Sequence, residues 1–182
     1  MEPADEILLE IQEIAYKNHC PIIGPVGGKI LAQIVKTHMP TRILEVGTLL
    51  GYSTIVMGKV LSSNAEIVTI EIDEEEARQA REYIQKAAIT PKVTVITGDA
   101  LTVIPTLNRV FDMVFLDAKK EDTYKYLQLI EENLTPGGIV VADDVGWASD
   151  AMSDYLKYVR DSGKYQSTFI EENDGIEVSK KL

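Results

Sequence analysis

Five acidic side chains stand where short apolar runs stop: Glu45 in RILEVG, Glu71 after IVTI, Asp117 after FDMVFL, and the pair Asp143 and Asp144 after IVVA. In an open parallel sheet, ligands bind beyond the carboxyl ends of the strands, so these charges converge on one edge. Carboxylates gathered there repel one another unless a cation joins them. The oxygen-only character of Asp117, Asp143 and Asp144 suits a hard divalent ion, Mg2+ first, with Mn2+ or Ca2+ as substitutes. A single aspartate at a strand end is commonplace, and the weight rests on the three together. Lys120 follows Asp117 by three residues, close enough to reach the same pocket. A cation nearby disfavours its ammonium while the carboxylates favour it, and a partly neutral lysine can act as a general base. On its own, the Lys119 and Lys120 pair reads as a solvated basic turn. Trp147, the one tryptophan, fits a pocket wall for a planar substrate and core packing equally well.

The stretch RILEVGTLLGYST, Arg42 to Thr54, is the element that must position a second ligand. An apolar strand runs into a loop flanked by Gly47 and Gly51, and Tyr52 to Val60 reads as a helix. Its glycines lie four apart, unlike the dinucleotide fingerprint, and Glu45 disfavours a pyrophosphate. Glu71 lies 20 residues beyond Gly51, at the end of the second strand, where doubly wound sheets hold ribose hydroxyls.

The remaining pattern supplies the scaffold. Helices are expected over Ala4 to Lys17 and Val26 to His38, separated by Pro21-Ile22-Ile23-Gly24-Pro25; they cover the cofactor or build an interface. Strands are expected over Glu66 to Ile72, Lys92 to Thr97, Phe111 to Leu116 and Ile139 to Ala142. Asp73 and Asp122 stand as helix caps, and the second helix should run through Asn133 until Pro136-Gly137-Gly138 breaks it. A helix from about Ser149 to Asp161 then leads to strands Tyr165 to Ile170 and Ile176 to Ser179, joined at Asn173-Asp174-Gly175, a hairpin signal. Strands alternating with helices predict an α/β fold, a doubly wound, mostly parallel sheet ending in an antiparallel pair. With 182 residues and no linker or repeat, one domain over 1–182 is the economical organisation.

A net charge of −11 weighs against a broad nucleic-acid footprint. No apolar run approaches the ~18 residues of a membrane span, and the acidic MEPADEILLE start lacks a signal peptide's basic region. The lone Cys20 cannot form an internal disulfide, which points to a reducing cytoplasm.

Four segments carry a resemblance: LEVGTLLGYS at Leu44 to Ser53, VTIEID at Val68 to Asp73, VFLDAKK at Val114 to Lys120, and ADDVGW at Ala142 to Trp147. Together, across about Ile22 to Val178, the chain resembles the cation-dependent, S-adenosylmethionine-dependent O-methyltransferases, the group of catechol and caffeoyl-CoA O-methyltransferases. The resemblance implies a Rossmann-like sheet of about seven strands. It places Glu45, Gly47 and Ser53 at the methionine part of the cofactor, Glu71 at the ribose, Asp99 and Ala100 at the adenine, and Asp117 against both cofactor and metal. Asp117, Asp143 and Asp144 would be the metal ligands and Lys120 the base. It further implies a small hydroxylated acceptor and a homodimer. The family often has Asn where Asp144 stands; the added charge should hold the ion more firmly and soften its Lewis acidity. Substrate-gating insertions are scant, and neither Glu171 nor Glu172 aligns with a substrate-orienting role. Two other readings stay open: a tRNA hydroxyuridine O-methyltransferase, which needs a basic surface, and a receiver-type signalling module, which needs neither the Gly47 to Gly51 seat nor Glu71.

Overall fold

Strand after strand of this sequence is apolar on both faces, which suits a sheet covered on both sides. The computed structural model describes residues 2–182, so the expected domain's first residue, Met1, lies outside the described residues. Two helices come first, α1 (Pro3–Asn18) and α2 (Gly24–His38). Then follow β1 (Arg42–Val46), α3 (Tyr52–Gly58), β2 (Glu66–Glu71), α4 (Glu74–Ala87), β3 (Lys92–Thr97), the short α5 (Ala100–Val103), β4 (Phe111–Leu116) and α6 (Thr123–Ile130). β5 (Leu134–Ala142), α7 (Ser153–Asp161), β6 (Tyr165–Ile170) and β7 (Ile176–Lys181) complete the order.

Among the described residues, seven strands form one sheet in the order β3-β2-β1-β4-β5-β7-β6. Strands β1 to β5 pair in parallel, and β7 runs antiparallel to both β5 and β6. The expected fold class is therefore the observed one. Alternate residues of the central strands feed two cores. Ile43, Ile67, Met113 and Val141 pack with α1, α2 and α3, whereas Leu44, Val68, Val114 and Val140 pack with α6 and α7. The order reverses between β1 and β4, which makes that crevice the topological switch point.

Local chemistry accounts for most boundaries. Asp73 caps α4, its Oδ1 accepting the Glu75 and Glu76 amides at 2.9 and 3.0 Å. Pro25 sits in the first turn of α2, where its missing amide costs nothing. Three expectations shift. Pro136-Gly137-Gly138 is not what breaks the helix, which ends at Ile130 and is followed by a 3-10 turn over Glu131–Asn133. The three residues lie inside β5, which starts at Leu134 and not at Ile139, and whose register with β4 slips between Phe111 and Met113. A bulge tolerates a residue without a ladder donor. Asp122 does not cap α6; it closes a 3-10 turn over Lys120–Asp122, and its carboxylate pairs with Lys119 and Lys125. Helix α7 begins at Ser153, four residues after the expected start, because Ser149 to Met152 form turns.

Among the described residues, no helix is long and apolar enough to cross a membrane.

Candidate active site

The loops that follow β1, β2, β3, β4 and β5 enclose a cavity of about 600 Å³ at the switch point. Its floor is where the loops after β1 and β4 meet. Gly47 has φ +99°, and a Cβ there would lie 2.0 Å from the Asp117 carbonyl oxygen. Only glycine lets these two backbones cross so closely. Gly51, at φ +81°, turns the chain into α3.

The loop between the two glycines is held from below and from the side. Glu45 is completely buried and accepts the hydroxyls of Ser53, at 2.5 Å, and of Thr54. Burial, opposed by these hydroxyls and reinforced by the charge of Asp117, pushes its carboxyl up to about 7. Glu71 accepts the amides of Thr48 and Leu49 on Oε2, at 3.1 and 2.7 Å, and that of Asp73 on Oε1 at 3.0 Å. An ionised carboxylate offers about four acceptor sites, so Glu71 can fix the loop and still receive another donor. It lines the cavity, as do Gly47, Asp99 and Ala100. Asp99 also caps α5 through the Leu101 amide at 2.9 Å. Glu45 and Ser53 are not among the lining residues; they stand behind the wall and shape the loop.

After β4 and β5, Asp117, Asp143 and Asp144 bring one carboxylate oxygen each within 4.8 Å of one another. Burial, then the charges of Asp117 and Asp144, push the Asp143 carboxyl up to about 7. Burial also raises Asp117, although Lys120 draws it back. Asp143 Oδ1 is buried with no hydrogen-bond partner among the described residues. A bare acceptor oxygen on one of three neighbouring aspartates fits a hard divalent cation, and the all-oxygen donor set fits it as well. Lys120 Nζ lies 2.9 Å from Asp117 Oδ1 and 2.7 Å from Asp144 Oδ2. Burial alone would lower its ammonium, but the two aspartates outweigh it and hold the group above its usual value.

Asp144 has φ +64°, a left-handed conformation that Asp and Asn tolerate better than other side chains. The hairpin turn holds it there. Val145 and Gly146 donate their amides to the carbonyls of Gly175 and Asp174 at 2.9 and 2.8 Å. A Cβ on Gly146 would come 2.7 Å from the Asp174 oxygen. The glycines of ADDVG and NDG are thus a mating pair, a relation that only their types hint at in the sequence.

Trp147 is 68% exposed and lines the cavity mouth, so the core-packing alternative falls. Sequence reasoning did not single out Pro21, Ile72 or Tyr126, which also line the cavity. Ile72 carried a signal: an apolar residue beyond the acidic strand end, outside β2 and 71% exposed.

A family model described as O-methyltransferase matches residues 2–176. Catechol O-methyltransferase of Niastella koreensis is 37% identical over 127 residues, covering 68% of this chain and 58% of that protein. Catechol O-methyltransferase of Sus scrofa is 31% identical over 153 residues, covering 80% of this chain and 81% of that one. The chain spans less than two thirds of the length of several such relatives. Among solved structures, the O-methyltransferase TomG of Streptomyces achromogenes, in complex with S-adenosylmethionine, superposes with a TM-score of 0.86 at 26% identity, over 97% of this chain and 90% of that one.

Proposed function

This chain belongs to the O-methyltransferase family, and on that premise we propose that it transfers the methyl group of S-adenosylmethionine to a hydroxyl of a small catechol-like or vicinal-diol acceptor, with a divalent cation. The observation that carries the proposal is the bare Asp143 Oδ1, buried next to Asp117 and Asp144, which with Lys120 line the same cavity as Glu71 and Asp99 while Asp143 stands behind its wall. Residues 1–182 would act as one catalytic domain.

The donor would lie along the β1 and β2 loops. Glu71 takes the ribose, Asp99 and Ala100 face the adenine, and Gly47 leaves room for the methionine part, with Asp117 at its end. Glu45 and Ser53 act from behind, keeping that loop in shape. Asp117, Asp143 and Asp144 would hold Mg2+ or a similar ion, whose positive charge would favour the ionised form of the acceptor's hydroxyl and the neutral form of a nearby amine. Lys120 Nζ receives the acceptor's hydroxyl proton once its own is lost. The freed oxygen forms its bond to the methyl carbon as the carbon–sulfur bond breaks, leaving S-adenosylhomocysteine. Trp147, on the cavity mouth, offers a face for a planar ring.

The test is a labelled-methyl transfer screen over catechols, phenolic thioesters and transfer RNA, with and without Mg2+. We expect Mg2+-dependent labelling of a diol, and Lys120→Ala should lower kcat at least about a hundredfold while donor affinity changes little. Label transfer that ignores Mg2+, or a Lys120→Ala enzyme with unchanged turnover, overturns the proposal. Labelling of transfer RNA alone would replace the acceptor class.

A further inference from the structure

The chain itself supplies a cation beside Asp117 and Asp144. Lys120 Nζ bridges Asp117 Oδ1 and Asp144 Oδ2, and the side chains of all three residues are largely shielded, at 14%, 18% and 22% exposure. Asp143, almost wholly buried, keeps its Oδ1 unpaired beside them. Shielded carboxylates left without a counterion are costly, so the lysine stabilises an acidic group that would otherwise repel itself. A divalent cation on the same carboxylates would bring further positive charge within a few ångströms of the ammonium, and the two cations would repel.

We propose that Lys120 is the internal counterion of this site. Its ammonium holds the place between Asp117 and Asp144 until a divalent ion takes those carboxylates, and the ion's arrival turns the lysine out of the pair. Asp144 is the positioning residue that keeps it there. The inference rests on the metal site proposed above and adds an order of events: the base is engaged while the ion is absent and becomes free only when the ion binds. Two features of the chain suit such an exchange. Lysine is a flexible point charge on a four-carbon stem, so it can leave without distorting the backbone. Lys120 also opens the 3-10 turn over Lys120–Asp122, which Lys119 and Lys125 anchor through Asp122, so the backbone below it stays put while the side chain moves. The carboxylate of Asp144 matters because an amide there could accept the same hydrogen bond but would not neutralise the ammonium.

The experiment uses the full chain without donor or acceptor. Mn2+ binding is followed by electron paramagnetic resonance for the wild type and Lys120→Met, and the lysine side-chain ammonium signals of ¹⁵N-labelled protein are followed during a Mg2+ titration. Removing a competing, charge-assisted contact should make Lys120→Met bind Mn2+ about tenfold more tightly or better. One protected ammonium signal, absent from Lys120→Met, should be present in metal-free wild type and disappear or move as Mg2+ saturates. It should also shift or weaken in metal-free Asp144→Asn, where only Asp117 remains to neutralise the ammonium. If the wild type binds Mn2+ but Lys120→Met binds no more tightly, or the Lys120 signal is unmoved by Mg2+, the counterion role is overturned and the metal site stands. If the signal is unchanged in Asp144→Asn, the positioning role of Asp144 is overturned. If neither protein binds Mn2+, the metal site falls and this inference with it. Should Lys120→Met fail to fold, the Mg2+ titration of the wild-type signal decides alone, its assignment made by Lys120→Gln.

Discussion

Replacing Glu45 by Gln should stabilise the protein at alkaline pH and do nothing at acid pH. Glu45 is fully buried beneath the loop that follows β1, and burial, only partly offset by the hydroxyls of Ser53 and Thr54, lifts its carboxyl from 4.5 to about 7. Between those values the folded chain keeps a proton that the unfolded chain has released. Stability therefore falls as pH rises through that window and levels off above it. At roughly 1.4 kcal/mol for each tenfold change in proton affinity, ionising this group costs the fold up to about 3 kcal/mol at pH 8. Gln removes the titration at nearly constant volume, but its amide forces one neighbouring hydroxyl to accept where it had donated, which Ser or Thr can do. A net gain of about 2 kcal/mol at pH 8, shrinking toward zero near pH 5, is the expected result. Urea unfolding followed by circular dichroism at pH 5, 6, 7 and 8, in the presence of a chelator, measures it. A Glu45→Gln protein that is less stable than wild type at pH 8, or a gap that does not change with pH, would refute the burial argument and mean that the carboxylate is welcomed by its surroundings.

Gly47→Ala should lower Tm by on the order of 10 °C and weaken donor binding more than about tenfold, since its Cβ would overlap the Asp117 carbonyl at a positive φ; calorimetry that finds Tm within about 2 °C of wild type would show that the two loops part easily. Arg160→Met strands the Glu177 carboxylate, which is 1% exposed and accepts from two of the three guanidinium nitrogens, Nε and Nη2, at 2.8 and 2.7 Å. Because the arginine itself is partly exposed, a loss of about 2 kcal/mol is expected, and the double change with Glu177→Met should recover most of it in urea unfolding. A single-variant loss below about 0.5 kcal/mol would place enough water at Glu177 to replace the arginine.

What the sequence discloses about this molecule is mainly what periodicity and residue type can carry. The largely apolar runs at Ile43 to Val46 and Phe111 to Leu116 are β1 and β4 because strands buried on both faces need apolar residues at most positions. Glu71, Asp117 and the Asp143-Asp144 pair mark where β2, β4 and β5 stop, since an unpartnered charge is costly in the core; Glu45, wholly buried inside β1, is tolerated there because Ser53 and Thr54 bond it. Tertiary pairing is harder to see. Nothing local in Pro136-Gly137-Gly138 says that a bulge will carry the strand through it, because the bulge depends on the register of β4. Nothing local in Glu45 tells whether it faces a ligand or two hydroxyls behind the loop; that depends on how α3 settles against β1. Asp122 has the type of a cap and the neighbours of an ion pair, and two lysines at three-residue spacing won it.

The antiparallel end of the sheet bears on the site in a way that strand order alone explains. β5 delivers Asp143 and Asp144 at its carboxyl end, and β7 pairs with it in reverse, Ala142 opposite Glu177. The start of β7, and with it the turn that joins β6 to β7, must therefore stand at the same rim as the two aspartates. A parallel strand in that place would have put its incoming loop at the far edge of the sheet. Here the turn carbonyls of Asp174 and Gly175 bond the amides of Gly146 and Val145, directly after Asp144. A residue with φ +64° persists only where its surroundings fix it, and this hairpin is what fixes it. The reversal of the last strands thus sets the direction from which Asp144 meets Lys120, and the spacing of the three aspartates follows from topology as much as from the motif that contains them.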